Sequence, residues 1–190
     1  MKLVIMMNKA EKTKAAIAQS LVEMLQRKPL DLITVTDLTA NAGVGRTAYY
    51  NNFKNLEDVL KYIYRKAHHE FFGDKFKDPG YQFSDTYIMD MIDFFDHYSR
   101  LLSTLIKWDL IDIIAKYNTN LVLAYTEKYD DKVIKENAFY FICYTSSAIF
   151  NICVLWVARE KKESKEELFR LIKYFQHQSQ QSQAHSSSSS

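Results

Sequence analysis

Apolar positions recur along this chain with the spacing of one helix face after another. Ile17, Leu21, Met24 and Leu25 fall at i, i+4, i+7 and i+8, and predict a first helix over about Lys9 to Lys28, ended by Pro29. A short helix is predicted over about Val35 to Ala42. Thr34 suits its N-cap, Asp37 stands three residues on, and Gly43 suits the left-handed residue that stops it. A third helix starts after Val44, with Gly45 as its N-cap, and runs to about Asn52. A fourth runs from an Asn55 cap to about Phe72, with Glu57 and Asp58 favourable to its positive end.

Asp78-Pro79-Gly80 is the clearest break and the predicted domain boundary. Beyond it, Ser84 caps a helix reaching about Leu102, with Ile88, Met91, Ile92 and Phe95 on one face. An amphipathic stretch covers about Trp108 to Lys128, and Asp130-Asp131 separates it from a long apolar helix over about Val133 to Glu160. Ser164 with Glu167 forms a capping box for a last helix whose Leu168, Leu171, Ile172 and Phe175 make one stripe. No alternating segment is long enough to demand a sheet. The expected fold is all-α, with about eight or nine helices and no internal repeat.

Composition agrees. Only 4 Gly and 2 Pro in 190 residues argue against most turn-rich all-β folds, and 47% hydrophobic residues supply ample material for burial. Two Cys give neither a disulfide framework nor a four-cysteine zinc site, so the chain reads as cytoplasmic. The apolar run at the start is broken by Asn8, Lys9, Glu11 and Lys12, so no signal peptide is expected. The net charge of +2 is uneven: residues 1–75 hold 12 Lys+Arg against 8 Asp+Glu, and residues 76–190 hold 13 against 15. A basic N-terminal part on a slightly acidic body suits a polyanion-binding head. The Gln/Ser-rich end, residues 179–190, reads as a disordered polar tail.

The candidate chemistry lies in the second and third helices, both short and joined by a few residues around Gly43. That is helix-turn-helix architecture, whose second short helix enters a major groove. Val35, Leu38, Val44 and Phe53 are placed to fill the core beneath, leaving Arg46, Thr47, Tyr49, Tyr50 and Asn51 to face outward in part. Arg can bind guanine and Asn adenine in bidentate fashion, while Tyr and Thr hydroxyls suit phosphates. Taken alone, the pattern also fits a helical hairpin with core tyrosines.

The stretch from Ile33 to Leu60, with Thr34-Val35-Thr36-Asp37-Leu38, Ala42-Gly43-Val44 and Tyr49-Tyr50-Asn51-Asn52-Phe53, resembles the signature of TetR-family transcriptional regulators. The strong match covers about residues 11–60. It implies a three-helix DNA-binding domain at 1–55, a connecting fourth helix at about 55–72, and a larger helical ligand-binding and dimerisation domain at 73–178. It further implies a homodimeric repressor, bound to a near-palindromic operator in double-stranded DNA and released by a small molecule. By the same resemblance Arg46 and Thr47 contact base edges, Tyr49 is the usual aromatic, Tyr50 and Thr36 touch phosphates, and Phe53 anchors the recognition helix. Three positions depart from the pattern. Gly45 replaces the usual Ser cap, Asn52 replaces a His or Tyr while keeping the capacity to bond a phosphate, and Leu56 replaces a Lys, for which Lys54 can substitute. The expected DNA-binding residues are thus Thr36, Gly45, Arg46, Thr47, Tyr49, Tyr50, Asn51, Asn52 and Lys54.

Residues 76–190 hold 20 of the 27 aromatics. Phe94, Phe95, Tyr98, Trp108, Phe139, Tyr140 and Tyr144 are candidates to line a cavity for a hydrophobic or aromatic effector. Ile149, Ile152, Trp156, Leu168, Leu171 and Phe175 are candidates for a four-helix dimer interface, a role the resemblance implies for the last two helices. Ala138–Ala158 is 21 residues without a charge, long enough to span a bilayer. Its polar Thr145, Ser146, Ser147 and Asn151, and the Lys/Arg flanking both ends, favour a helix buried in protein. The alternative is a helical interaction module, membrane-tethered through 138–158, that does not bind DNA. No enzyme constellation, metal site or cofactor motif is expected: His68 and His69 point to different faces, and Cys143 and Cys153 read as small buried apolar residues.

Overall fold

The computed structural model describes residues 9–78, 80–124 and 132–186. They are helical throughout, without a strand: α1 Lys9–Leu25, α2 Val35–Asn41, α3 Arg46–Tyr50, α4 Leu56–Phe72, α5 Asp85–His97, α6 Ser99–Lys107, α7 Ile111–Leu123, α8 Lys132–Glu136, α9 Ala138–Ala158 and α10 Lys165–Ser186, with single 3-10 turns at Leu30–Leu32, Lys75–Lys77 and Tyr81–Phe83. The all-α expectation holds.

Local chemistry sets many of the boundaries. The Asp37 N–H donates to Thr34 Oγ1 at 3.1 Å, capping α2, and the Asp58 N–H donates to Asn55 Oδ1 at 2.9 Å, capping α4. The Tyr87 N–H does the same to Ser84 at the head of α5. At α10 the box is reciprocal: the Ser164 N–H donates to Glu167 Oε2 (2.8 Å) and the Glu167 N–H to Ser164 Oγ (3.2 Å). Gly43 sits at φ +65°, where a side chain is strained.

Other expectations need correction. The helix from Ser84 stops at His97, because Tyr98 leaves helical geometry with its ring 4.9 Å from Phe94, and α6 starts afresh at Ser99. The long apolar helix expected over about Val133 to Glu160 is divided at Asn137, where α8 ends and α9 begins, and the uncharged run Ala138–Ala158 is α9 itself. Helix α10 continues to Ser186 through residues read as a disordered tail; Gln is a fair helix former, and no Gly or Pro intervenes. Residues 187–190 lie outside the described residues, as do Pro79 and Asp130-Asp131.

The chain forms two compact units, and the boundary is not at Asp78-Pro79-Gly80. The first unit runs to Glu70 and takes in Thr104–Tyr117; the second comprises Phe71–Ser103 and the chain from Asn118 onward. In the first, Ile17, Leu21 and Leu25 of α1 are buried with Leu38 of α2, Tyr49 of α3, Phe53, and Val59 and Leu60 of α4. Ser20 Oγ donates to the Leu38 carbonyl (3.1 Å) and accepts from Asn41 Nδ2 (2.8 Å), bonding α1 into α2. Burying three such aliphatic side chains of α1 contributes roughly 1.5–3 kcal/mol each.

In the second unit α5 is central. Its predicted face of Ile88, Met91, Ile92 and Phe95 is buried, and so are Tyr87 and Phe94. Helix α9 packs on it through Ser146, Ile149, Phe150, Cys153, Trp156 and Val157, with Phe95 and Phe150 edge to face at 5.3 Å. Helix α10 lies along it antiparallel, burying Leu168 and Ile172 and pairing Lys165 with Asp93 and Lys173 with Asp85, while Lys161 in the turn before it pairs with Asp96. Between α9 and α10, Glu160 and Lys161 both hold positive φ, and the Trp156 indole N–H donates to the Glu163 carbonyl at 2.9 Å to close the turn.

Candidate nucleic-acid interface

Helix α3 is one and a half turns long, and its orientation follows from which of two adjacent tyrosines is buried. Tyr49 is 0% exposed and packs against Phe53 (6.0 Å), which meets Tyr62 of α4 edge to face (5.7 Å). Tyr50, roughly 100° further round the helix, is 55% exposed and meets the Tyr49 ring edge to face at 5.2 Å. Arg46, Thr47 and Asn51 are exposed with it. The Arg46 side chain has no hydrogen bond or ion pair among the described residues, so its five donors are available to a base edge. Exposed Thr36 lies in the first turn of α2, and exposed Lys54 lies in the turn before α4.

Two of the nine expected DNA-binding residues stand differently. Tyr49 is a core residue: its ring fills the space between α3 and α4, where its hydroxyl has no hydrogen-bond partner among the described residues. Burial, with Tyr50 and the Asp58 carboxylate, pushes its pKa up. Asn52 is half-buried, and its amide donates to the Ala48 carbonyl at 2.7 Å, closing the end of α3. The absent Ser cap at Gly45 leaves α3 with extended backbone there and no side-chain cap.

Charge around the head is partly neutralised. Lys28 pairs with Asp37 at 3.4 Å, and the Thr34 hydrogen bond followed by Lys28 holds the Asp37 carboxyl below the usual range. Glu11 is likewise lowered, by the Lys14 hydrogen bond first, and accepts the Tyr62 hydroxyl at 3.2 Å. A groove of about 630 Å³ runs between α1 and α2, lined by Glu23, Met24, Arg27, Lys28, Asp37, Ala40 and Asn41.

The residues assigned to an effector cavity do not come together. Phe94 and Phe95 are buried in the aromatic core around α5, where Phe94 meets Phe71, Phe72 and Tyr98. Trp108 belongs to the first unit, and its indole donates to the Leu25 carbonyl. Phe139, Tyr140 and Tyr144 are 56%, 74% and 71% exposed.

The expected interface residues also divide. Ile149, Trp156 and Leu168 are buried within the chain and Ile152 is half-buried, whereas Leu171 and Phe175 are exposed. The exposed apolar side chains of these two helices are instead Phe139, Tyr140, Tyr144 and Leu155 on α9 and Leu171, Tyr174 and Phe175 on α10. Leu155 and Tyr174 were not singled out in sequence, because a helix apolar all round does not say which side its neighbours take.

Cys153 is buried, with its thiol pushed up to about 12, but Cys143 is exposed, contrary to expectation. Among the described residues no group of three or more His, Cys, Asp or Glu is gathered to hold a metal. Phe139–Ala158 is long and apolar enough to cross a bilayer by length and composition, yet Ser146, Ile149, Phe150, Cys153, Trp156 and Val157 of it are buried inside the protein.

No family model matches the sequence, and no curated protein matches it. Among solved structures, the dihydroxyacetone kinase operon activator DhaS is similar, with a TM-score of 0.51 at 22% identity over 86% of this chain and 93% of that one. The likeness is one of fold.

Proposed function

We propose that this protein is a dimeric, sequence-specific DNA-binding transcriptional regulator of the TetR type. The carrying observation is α3, whose exposed Arg46, Thr47, Tyr50 and Asn51 stand on a helix anchored from behind by Tyr49 and Phe53. A side chain reads a base edge only if its backbone is held rigidly, and this anchor supplies that. Arg46, Thr47 and Asn51 read bases, while Thr36, Tyr50 and Lys54 bind phosphates. The resemblance at residues 11–60 and the shared fold with a protein named an operon activator support the same reading.

A second copy covers the exposed apolar face of α9 and α10. A two-fold axis through that face brings Tyr140, Tyr144, Leu155, Leu171, Tyr174 and Phe175 against their own copies, and reading two successive major grooves then requires the two α3 helices to stand about one DNA turn apart, ~34–36 Å. The operator is accordingly near-palindromic and the protein acts in the cytoplasm. Repression relieved by a small hydrophobic effector completes the proposal. It rests on the resemblance alone, since the residues first assigned to an effector do not form one pocket.

Selection of bound sequences from genomic DNA tests the reading, with Arg46→Ala as the variant. Loss of about 1–3 kcal/mol of discrimination at one base pair of each half-site is expected. A detergent-free dimer that enriches no sequence would overturn DNA binding, and a monomer would overturn the proposed interface. A promoter fusion reads whether the effect is repression or activation.

A further inference from the structure

The helices that present α3 are held by a segment far away in sequence. Helix α1 ends at Leu25 and, like any helix end, leaves carbonyls without intrahelical donors. The Met24 carbonyl accepts from the N–H groups of Arg27 (2.9 Å) and Lys28 (3.1 Å). The next carbonyl, of Leu25, accepts from the Trp108 indole N–H at 2.7 Å. One residue further, Gln26 Nε2 donates to Thr104 Oγ1 at 2.9 Å. Both bonds fall where α1 gives way to the short connection leading to the Thr34 cap of α2.

The far segment is built to hold this place. Thr104, Leu105, Leu110 and Ile114 are buried, and all four belong to the same compact unit as α1, α2 and α3. The Leu110 N–H returns to the Leu105 carbonyl at 2.8 Å. Asp109 between them holds φ +58°, the left-handed conformation that Asp tolerates better than most residues with a side chain. The Lys107 ammonium lies 4.5 Å from the centre of the Trp108 ring.

We propose that Trp108 and Thr104 are positioning residues for DNA recognition. They clamp the C-terminal end of α1 and so set how α2 and α3 are presented to a groove. The inference rests on the DNA-binding reading above and adds residues outside the helix-turn-helix to it. The route runs through Ser20, which ties α1 to both Leu38 and Asn41 of α2. Base contacts demand an exact approach and phosphate contacts tolerate a loose one, so a slack α1 should cost specific binding more than non-specific binding.

The test uses the full chain, operator DNA selected with the wild type, and a non-operator duplex of equal length. Trp108→Phe keeps an aromatic ring, smaller than the indole, and removes the donor; Thr104→Val removes the acceptor, and Thr104→Ser restores it. Amide exchange across residues 26–33, measured without DNA, is expected to accelerate about tenfold in Trp108→Phe. Operator affinity is expected to fall about five- to tenfold in Trp108→Phe and Thr104→Val, with non-operator affinity changed less than twofold and Thr104→Ser close to wild type. Unchanged exchange would overturn the clamp. Faster exchange with discrimination intact would overturn the positioning role. A wild type that selects no DNA at all overturns the DNA-binding reading and this inference with it, and shows itself before any variant is made.

Discussion

Removing one oxygen from Tyr49 should make the protein more stable. Its hydroxyl is fully buried between α3 and α4 and has no hydrogen-bond partner among the described residues, while the ring below it is well packed. A buried polar group left unmade costs about 1–3 kcal/mol in lost hydration. Tyr49→Phe abolishes that cost and forfeits only the few dispersion contacts of one atom, for a net gain of about 0.5–2 kcal/mol. In a chain of 190 residues this corresponds to a rise in Tm of roughly 2–4 °C per kcal/mol. Tyr62→Phe is the internal control. There the hydroxyl donates to the Glu11 carboxylate at 3.2 Å, and its loss should cost ~1 kcal/mol after allowance for the exposed carboxylate. Urea titration and thermal melting of both variants read the two signs. Destabilisation of Tyr49→Phe by 1 kcal/mol or more would show that the hydroxyl is hydrogen-bonded after all, and would refute the reasoning.

Three further outcomes follow from the same geometry. His68 is buried, and that burial, with His69 beside it, depresses its pKa from 6.5 to about 4. The unfolded chain therefore binds more protons between these values. Stability is full above pH 6.5 and falls by up to ~3 kcal/mol as the pH drops to about 4, a slope that denaturation curves should show flattened in His68→Leu. Gly45 lies at φ −77° with nothing within 4 Å of an added Cβ, so Gly45→Ser should supply the missing cap of α3 and gain a few tenths of a kcal/mol in urea, whereas Gly43→Ala, at φ +65°, should lose about 1 kcal/mol. Cys153, buried with its thiol pushed up to about 12, should resist iodoacetamide at pH 8 in the folded protein and react only in denaturant, as mass spectrometry of the labelled peptides can show.

What was legible in the sequence was the chemistry that acts over three or four residues. Thr34, Asn55, Ser84 and the Ser164–Glu167 pair were read as caps and are caps, and Gly43 holds the left-handed conformation expected of it. The outward set on α3 was legible except at Tyr49, because two neighbouring tyrosines carry the same propensity and only the position of Phe53 and α4 decides which one turns inward. The effector cavity and the interface were not legible. Helix α9 is apolar on nearly every side, so its period marks no face, and only its tertiary packing, with α5 a principal neighbour, selects Ile149, Cys153 and Trp156 for burial and leaves Tyr140, Tyr144 and Leu155 outside. Trp108 read as a cavity aromatic because nothing near it in sequence announces a carbonyl 83 residues upstream.

That long-range bond bears on the order in which the molecule is made. Synthesis delivers the N-terminal helices first, and most domains begin to fold as they emerge. Here the helix-turn-helix part leaves the ribosome without the piece that ties off α1, and must wait until Trp108 is clear of the exit tunnel before it can close on Leu25. A nascent chain halted at Glu70 would therefore carry a finished α3 on an unfinished support.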